Sequence, residues 1–259
     1  MRKPLAIELF AGLHGWGEGL VSEGWRVVAF DLVDMCAFCE VPRPTGIDFV
    51  IQDVLTLSGR QFKDADLIVS SSPCQEFSYR AMPFKRAKAM PPPENGVALF
   101  NAQFKIQREA IEATRKLCPS CCGIKAAFSA GYVPTCVRCH GSGTVTRHIP
   151  MIVENVRAAQ SWTLPAKQKY GSMYLWGDVP PLMIGGGHVK QPECPGWFHG
   201  NLAVSARRFS SHSKERKRWT AAIAKIPFPL AQYIARVFKP DDRAHGVAEN
   251  FQPGAICDY

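Results

Sequence analysis

The chain has no apolar run near the ~20 residues that a membrane span requires. Its opening residues, Met1-Arg2-Lys3-Pro4, lead straight into a short strand-like segment. No secretory core and no small-residue cleavage site intervene. These absences argue against a membrane partner and give the expectation of a cytoplasmic protein. Charged residues are sparse at 20%, against 46% apolar, a balance that excludes wholesale disorder. There is no internal repeat and no long low-complexity segment, which leaves one sizeable domain, or one domain with a small insert, in 259 residues. A monomer is expected. What is abundant is cysteine: ten of them. In a cytoplasmic chain that number points to metal binding or catalysis rather than disulfides.

Charge is distributed unevenly. Residues 1–80 carry seven basic and eleven acidic side chains, a net of −4, so the remaining 179 residues net +13 within a total of +9. An acidic part beside a basic part suits a small cofactor on one face and a polyanion on another. The basic residues cluster late, at Arg207, Arg208, Lys214, Arg216, Lys217 and Arg218.

Short apolar runs alternate with helical stretches. Residues 4–10 read as a first strand, 26–32 as a second with Asp31 near its end, 48–54 as a third reaching Asp53, and 67–71 as a fourth running into Ser72-Pro73-Cys74-Gln75. Residues 151–156 read as a fifth strand and 174–176 as a sixth. Helical periodicity covers 98–117, on Leu99, Phe100, Phe104, Ile111 and Leu117, and an amphipathic helix closes the fold at 228–238. This alternation predicts an α/β fold with a doubly wound, mostly parallel sheet. Ligands in such sheets bind beyond the carboxyl ends of the strands, where Gly12, Asp31, Asp53 and Cys74 all fall.

Chemistry concentrates at those ends. A Gly-rich turn, Ala11 to Gly19, follows the first strand and permits close backbone approach to a ligand. Asp31 lies 19 residues after Gly12, close to the ~20-residue spacing at which an acidic residue receives a ribose. Cys74 follows a proline at a strand end, ahead of a long stretch, 76–97, that contains Lys85, Arg86 and Lys88. Glu154-Asn155 at the end of the fifth strand would set a carboxyl group beside it. A thiol and a nearby acid suit attack on an electron-poor ring.

The motifs Glu8-Leu9-Phe10-Ala11-Gly12, Pro73-Cys74-Gln75 and Glu154-Asn155-Val156, in this order and spacing, resemble those of the cytosine-5 DNA methyltransferases, in the compact form carried by phages and prophages. The resemblance covers about residues 5–110, 149–183 and 219–240. It implies a Rossmann-like S-adenosylmethionine-dependent methyltransferase. Phe10, Ala11, Gly12, Leu13 and Gly15 would form the cofactor turn, Asp31 would take the ribose, and Asp53 with Val54 the adenine. Leu99 would touch the cofactor, and the closing motif would return to it through Lys225 and Ile226. Cys74 would be the nucleophile, flanked by Pro73 and Gln75, and Glu154 the acid, beside Asn155. Duplex DNA would be the substrate, with the target base flipped out and the 76–97 segment closing over it.

The sequence also departs from that pattern. Leu13-His14 interrupt the Gly-x-Gly, and Ala224-Lys225 replace a Gly-Asn pair. The Gln-x-Arg-x-Arg motif is missing, with Gln168-Lys169-Tyr170-Gly171-Ser172 near its place. The target-recognition region, 184–218, is short. A silent DNA-binding relative, or an enzyme acting on RNA or free pyrimidine nucleotides, therefore stands as the alternative.

Cys118-Pro-Ser-Cys121 and Cys136-Val-Arg-Cys139, each closed by glycine within two residues, form a strong tetrahedral zinc signal. The pattern resembles J-domain chaperone zinc knuckles over about eight residues. Cys118, Cys121, Cys136 and Cys139 are the expected ligands of a structural Zn2+, with Cys122 or His140 as substitutes. The insert would brace the fold, or contact DNA through Lys125, Arg138 and Arg147. Cys36 and Cys39 form a third Cys-x-x-Cys without a nearby second pair, and Cys194 and Cys257 stand alone. The expected organisation is a core over 1–115, a zinc insert over 116–147, the core again over 148–183, a recognition region over 184–218, a closing helix over 219–240 and a tail over 241–259.

Overall fold

The computed structural model describes residues 2–78, 93–121, 136–184, 209–210 and 213–240. Lys85, Arg86, Lys88, Cys122, Lys125, Cys194, Arg207, Arg208, Cys257, the 241–259 tail and most of the 184–218 region lie outside them. Along the chain run β1 (Leu5–Leu9), α1 (Gly15–Ser22), β2 (Arg26–Asp31), α2 (Met35–Cys39), β3 (Ile47–Ile51), β4 (Leu67–Ser70) and α3 (Glu94–Ala113). A two-strand pair follows, β5 (Lys116–Leu117) and β6 (Thr144–Val145), then β7 (Met151–Asn155), β8 (Gln168–Tyr170), β9 (Met173–Gly177), α4 (Lys214–Ala224) and α5 (Phe228–Phe238).

Seven strands form one sheet in the order β3-β2-β1-β4-β7-β9-β8. The first five are parallel, and β9 and β8 join antiparallel. The chain winds outward from β1 through β2 to β3, then restarts on the other side of β1 with β4. The order therefore reverses between β1 and β4, and that reversal opens a crevice at their carboxyl ends. β4 and β7 are buried along their whole length, which is why they read as continuous apolar runs rather than as alternating ones.

Each face of the sheet carries its own core. One gathers Trp16 and Leu20 of α1, Leu230, Ala231 and Ile234 of α5, and Val27, Leu67 and Val69 of the sheet. The other gathers Phe100, Ile106 and Ala110 of α3 with Phe62, Phe77, Ile68, Val153 and Trp176. Full burial stabilises each such aliphatic or aromatic side chain by about 1.5–3 kcal/mol. This is the doubly wound, mostly parallel α/β fold, with a cysteine-bearing insert between β5 and β6.

Three expectations shift. The third strand stops at Ile51, and Asp53 caps a 3-10 turn, Val54–Thr56, instead of ending the strand. The expected 98–117 helix spans Glu94–Ala113 and buries Gly96, Phe100, Gln103, Ile106 and Ala110; Leu117 lies on β5 and is 66% exposed. Gln168–Tyr170, near the place of the missing Gln-x-Arg-x-Arg motif, pair with β9 as an edge strand. Helix α4 begins at Lys214, capped by the Ser213 side chain, ahead of the expected start of the closing segment at 219.

Helices α1 and α5 pack so closely that a Cβ on Gly19 would lie 2.4 Å from the Cβ of Ala231. Gly19→Ala should therefore cost about 1–3 kcal/mol through overpacking. A thermal melt should show a clearly lowered Tm, and an unchanged Tm would contradict this packing.

Candidate active site

The turn after β1 has a strained backbone. Phe10, Gly12 and His14 all have φ between +51° and +55°. For the two non-glycine residues that conformation needs support from around them. Asp31 at the end of β2 supplies some: its Oδ2 accepts from Gly12 N at 2.9 Å and its Oδ1 from Leu32 N at 2.7 Å. Each oxygen keeps a second lone pair for a further donor. A Cβ on Gly12 would meet nothing within 4 Å, so the turn faces open space. Beneath it, His14 Nδ1 lies 3.2 Å from Glu8 Oε2, both side chains being buried. Glu8 Oε1 also accepts from Gly17 N.

The other expected cofactor residues surround this turn unevenly. Asp53 Oδ1 accepts from Leu55 N, and Val54 is buried in the lower core. Leu99 is half-buried on α3. Ile226 is buried, and its backbone lies against Gly15, whose added Cβ would fall 2.4 Å from Ile226 N. Lys225 Nζ pairs with Glu18 Oε2 at 2.6 Å. The closing segment thus returns to the turn, through Gly15 and Glu18. Two residues absent from the sequence reading stand out here. Leu32 and Leu55, 62% and 52% exposed, flank Asp31 and Asp53. They present apolar surface beside these carboxylates, and only exposure distinguishes them from core leucines.

Past β4, a turn carries Cys74 to the crevice, with Phe77 N donating to Cys74 O and Ser78 N to Gln75 O. Pro73 and Gln75 are exposed and Cys74 is half-buried. The buried Ser72 anchors this turn. Its Oγ accepts from Gln103 Nε2 and from Asn155 Nδ2, each at 3.1 Å, and its carbonyl accepts from Asn155 Nδ2 as well. One hydroxyl thereby ties β4, α3 and β7 together. Gln103 escaped the sequence reading because the apolar periodicity of α3 gave no reason to bury a glutamine. Glu76 Oε2 accepts from Gly96 N at 2.7 Å, stapling together the two flanks of the 79–92 segment.

Glu154, at the end of β7, is buried, and burial pushes its carboxyl up to about 8 against a hydrogen bond from Ser71 that pulls it down. Burial first, and the charge of Glu154 second, push the Cys74 thiol up to about 11. At neutral pH both groups hold their protons. Between the ordinary carboxyl range and pH 8 the folded chain binds a proton at Glu154 that the unfolded chain has lost, so this group removes stability as pH rises through that window.

The four insert cysteines converge as expected. Their sulfurs lie within 4.8 Å of one another, with Cys118–Cys136 at 3.8 Å and Cys121–Cys139 at 3.5 Å. Four thiolates at ~2.3 Å from a tetrahedral ion stand about 3.8 Å apart, so the donor set fits. Burial acts upward on Cys139, but the backbone N–H of Gly143, the neighbouring thiols and the N–H of Gly141 prevail and bring it to about 6. Among the described residues this is the one group of three or more His, Cys, Asp or Glu side chains placed to hold a metal; Cys36 and Cys39 join no such group. Arg147 turns inward: its guanidinium donates to the carbonyls of Lys63 and Ala65 and pairs with Asp66. It bolts the insert to the core.

The basic cluster is partly neutralised. Lys214 and Arg218 both pair with Glu40, at 2.8 and 2.7 Å, and Lys214 and Lys217 lie over the Phe38 ring. Among the described residues no helix is long and apolar enough to cross a membrane.

Alkylation of Cys74 by iodoacetamide, followed by peptide mass spectrometry, should be slow at neutral pH and climb toward pH 11. Glu154→Gln should speed it several-fold at pH 9 by removing a negative charge. Fast reaction of the wild type at pH 7 would contradict the raised thiol.

The sequence of residues 5–87 matches the family model described as C-5 cytosine-specific DNA methylase. No curated protein matches the chain. Among solved structures, a protein described as a DNA modification methyltransferase of an E. coli prophage overlaps it at 16% identity and a TM-score of 0.32, over 60% of this chain and 32% of its own. The Entamoeba histolytica methyltransferase EhMeth overlaps at 13% and 0.31, over 62% and 40%. The S. pombe Dnmt2 methyltransferase overlaps at 14% and 0.32, over 61% and 36%. The overlap takes in less than half the length of each of these proteins. The fold assignment rests on the strand order above, not on these overlaps. The family match spans the turn after β1, Asp31, Asp53 and Cys74.

Proposed function

We propose that the protein transfers a methyl group to carbon 5 of cytosine in duplex DNA. The observation that carries this reading is the placing of Cys74, past β4, and Glu154, on β7, near enough for the charge of one to act on the other, with Glu154 still protonated at neutral pH. Cys74, as thiolate, attacks carbon 6 of the ring. Glu154 delivers its proton to ring N3 and holds the exocyclic amine. Carbon 5 thereby becomes nucleophilic and takes the methyl group; loss of the carbon-5 proton then re-forms the 5–6 double bond and expels Cys74 as thiolate, and ring N3 returns its proton to Glu154. A stacked base is out of reach of such a thiol, so the cytosine must flip into the crevice.

S-adenosylmethionine supplies an electrophilic methyl group on its sulfonium. The residues present fit it. The open turn Phe10 to Leu13 and Gly15 would hold its amino-acid end, Asp31 the ribose hydroxyls through its remaining lone pairs, and Asp53 and Val54 the adenine. Leu99, Leu32 and Leu55 offer apolar contact, and Lys225 with Ile226 closes the far side. Cys118, Cys121, Cys136 and Cys139 would hold a structural Zn2+; with all four positions filled by thiolates, no site is left for catalysis. The inward-facing Arg147 supports bracing over DNA contact for this insert.

Of the alternative substrates, RNA or a free pyrimidine nucleotide, the nucleotide draws support from the pairing of Lys214 and Arg218 with Glu40, which withdraws two cations from any polyanion surface.

Labelled S-adenosylmethionine and mixed-sequence duplex DNA should give 5-methylcytosine in a recurring short context at base resolution. Cys74→Ala should abolish transfer while cofactor binding persists. Cofactor binding with label only in RNA or nucleotides would favour an alternative substrate, and transfer by Cys74→Ala would overturn the nucleophile. Stripping metal with a chelator, or Cys136→Ser, should lower the Tm by several degrees, since structural zinc contributes on the order of 10 kcal/mol of apparent folding energy in small modules. An unchanged Tm with no zinc found by elemental analysis would refute the metal.

A further inference from the structure

Cys74 is held on both sides by the same helix. Two residues before it, Ser72 Oγ accepts from Gln103 Nε2 of α3 at 3.1 Å. Two residues after it, Glu76 Oε2 accepts from Gly96 N of α3 at 2.7 Å. Gly96 and Gln103 stand seven residues apart, about two turns, so both lie on one buried face of α3. Phe77 packs against the first of these points, where a Cβ on Gly96 would lie 3.0 Å from its ring. Left to itself, the turn has two backbone bonds, Phe77 N to Cys74 O at 3.0 Å and Ser78 N to Gln75 O at 3.3 Å.

The direction of the Gln103 contact is fixed. Its Nε2 also donates to the Phe100 carbonyl at 3.2 Å, and a carbonyl can only accept. Asn155 is fixed in the same way, with Nδ2 on the Ser72 carbonyl and Oδ1 receiving Val156 N. Ser72 Oγ therefore accepts two N–H groups, one from α3 and one from β7. Gln103 is 0% exposed, and its buried Oε1 has no hydrogen-bond partner among the described residues. An unmet buried carbonyl offsets what the amide's own bonds return. A methionine would fill the same space without leaving a polar atom unpaired. What the amide provides is direction: it grips Ser72, where an apolar chain would only pack against it.

We propose that Gln103 is a positioning residue for Cys74: together with the Glu76–Gly96 bond, it splints the thiol's turn to α3, so that the helix sets where the sulfur stands. The role rests on the methyl-transfer reading; the splint itself is tested without it. Hydrogen exchange of the Phe77 and Ser78 amides, read by mass spectrometry on residues 71–78, reports the turn, and iodoacetamide labelling at pH 9 reports the thiol. Gln103→Met should speed that exchange about tenfold, the equilibrium factor that one hydrogen bond supports. Labelling should quicken several-fold, while the Tm holds or rises. Ser72→Ala, which leaves the Gln103 and Asn155 amides their carbonyl partners, should loosen the turn in the same way. Glu76→Ala should loosen it too, and Glu76→Gln, which keeps an acceptor for Gly96 N, should not. In methyl transfer, Gln103→Met should lower kcat roughly tenfold with KM for both substrates little changed, since a shift of about 1 Å in a reacting group can cost roughly a hundredfold. Exchange and labelling unmoved by Gln103→Met and Ser72→Ala, in proteins that melt cooperatively, would overturn the splint. A lowered Tm with exchange faster across the whole sheet would assign Gln103 to stability and overturn it as well, as would a loosened turn with kcat unchanged. A turn that loosens in a protein whose wild type transfers no methyl group would uphold the splint and sink the proposed reaction instead.

Discussion

Burial of the Glu154 carboxyl is the constraint around which the crevice is arranged. A charged carboxylate at the end of a fully buried strand would be costly, and the fold meets that cost by keeping the proton on it. The same burial that suppresses its charge also suppresses the Cys74 thiolate. Cys74 and Glu154 are therefore both neutral at neutral pH. Everything else near the site serves alignment: Asn155 and Gln103 converge on Ser72, and Trp16 converges on Ser71. Two adjacent serines before Pro73 divide the work, Ser72 taking the Gln103 and Asn155 amides and Ser71 the Trp16 indole.

A second buried pair, His14 and Glu8, lies beneath the turn after β1. His14 stands where a glycine would be expected, in a left-handed conformation, and is stabilised there by Glu8 and by the edge of Phe49 at 5.3 Å. Replacing glycine with a side chain at positive φ costs about 1–3 kcal/mol unless the surroundings over-determine it. Here a hydrogen bond and a ring contact do so, and the turn gains a rigid floor.

Much of this was legible beforehand because the chemistry lies at strand ends. Apolar runs such as Leu67–Ser70 and Met151–Asn155 announce buried parallel strands, and the residue that follows each one reports the crevice. The two Cys-x-x-Cys pairs declared their convergence through spacing alone. What escaped was set by tertiary packing. The third strand ended early because Asp53 caps a turn, a local competition that an apolar count does not weigh. Gln103 was invisible because burying a glutamine makes sense only once Ser72 is placed opposite it. The basic cluster read as a free polyanion surface, yet Glu40, 174 residues before Lys214, had already claimed part of it.

The staple between Glu76 and Gly96 has a bearing on how such a chain can vary. It fixes the flanks of the 79–92 segment on the body of the fold, much as the Cys118 N–H to Gly143 carbonyl bond and the β5–β6 pair close the neck of the cysteine insert. With both necks pinned, the length between them is thermodynamically cheap: doubling a loop costs only about 0.6 kcal/mol of closure entropy. Each excursion can lengthen, shorten or change its composition without pulling on Cys74 or on β7. The core and the two segments that interrupt it are in effect separately evolvable.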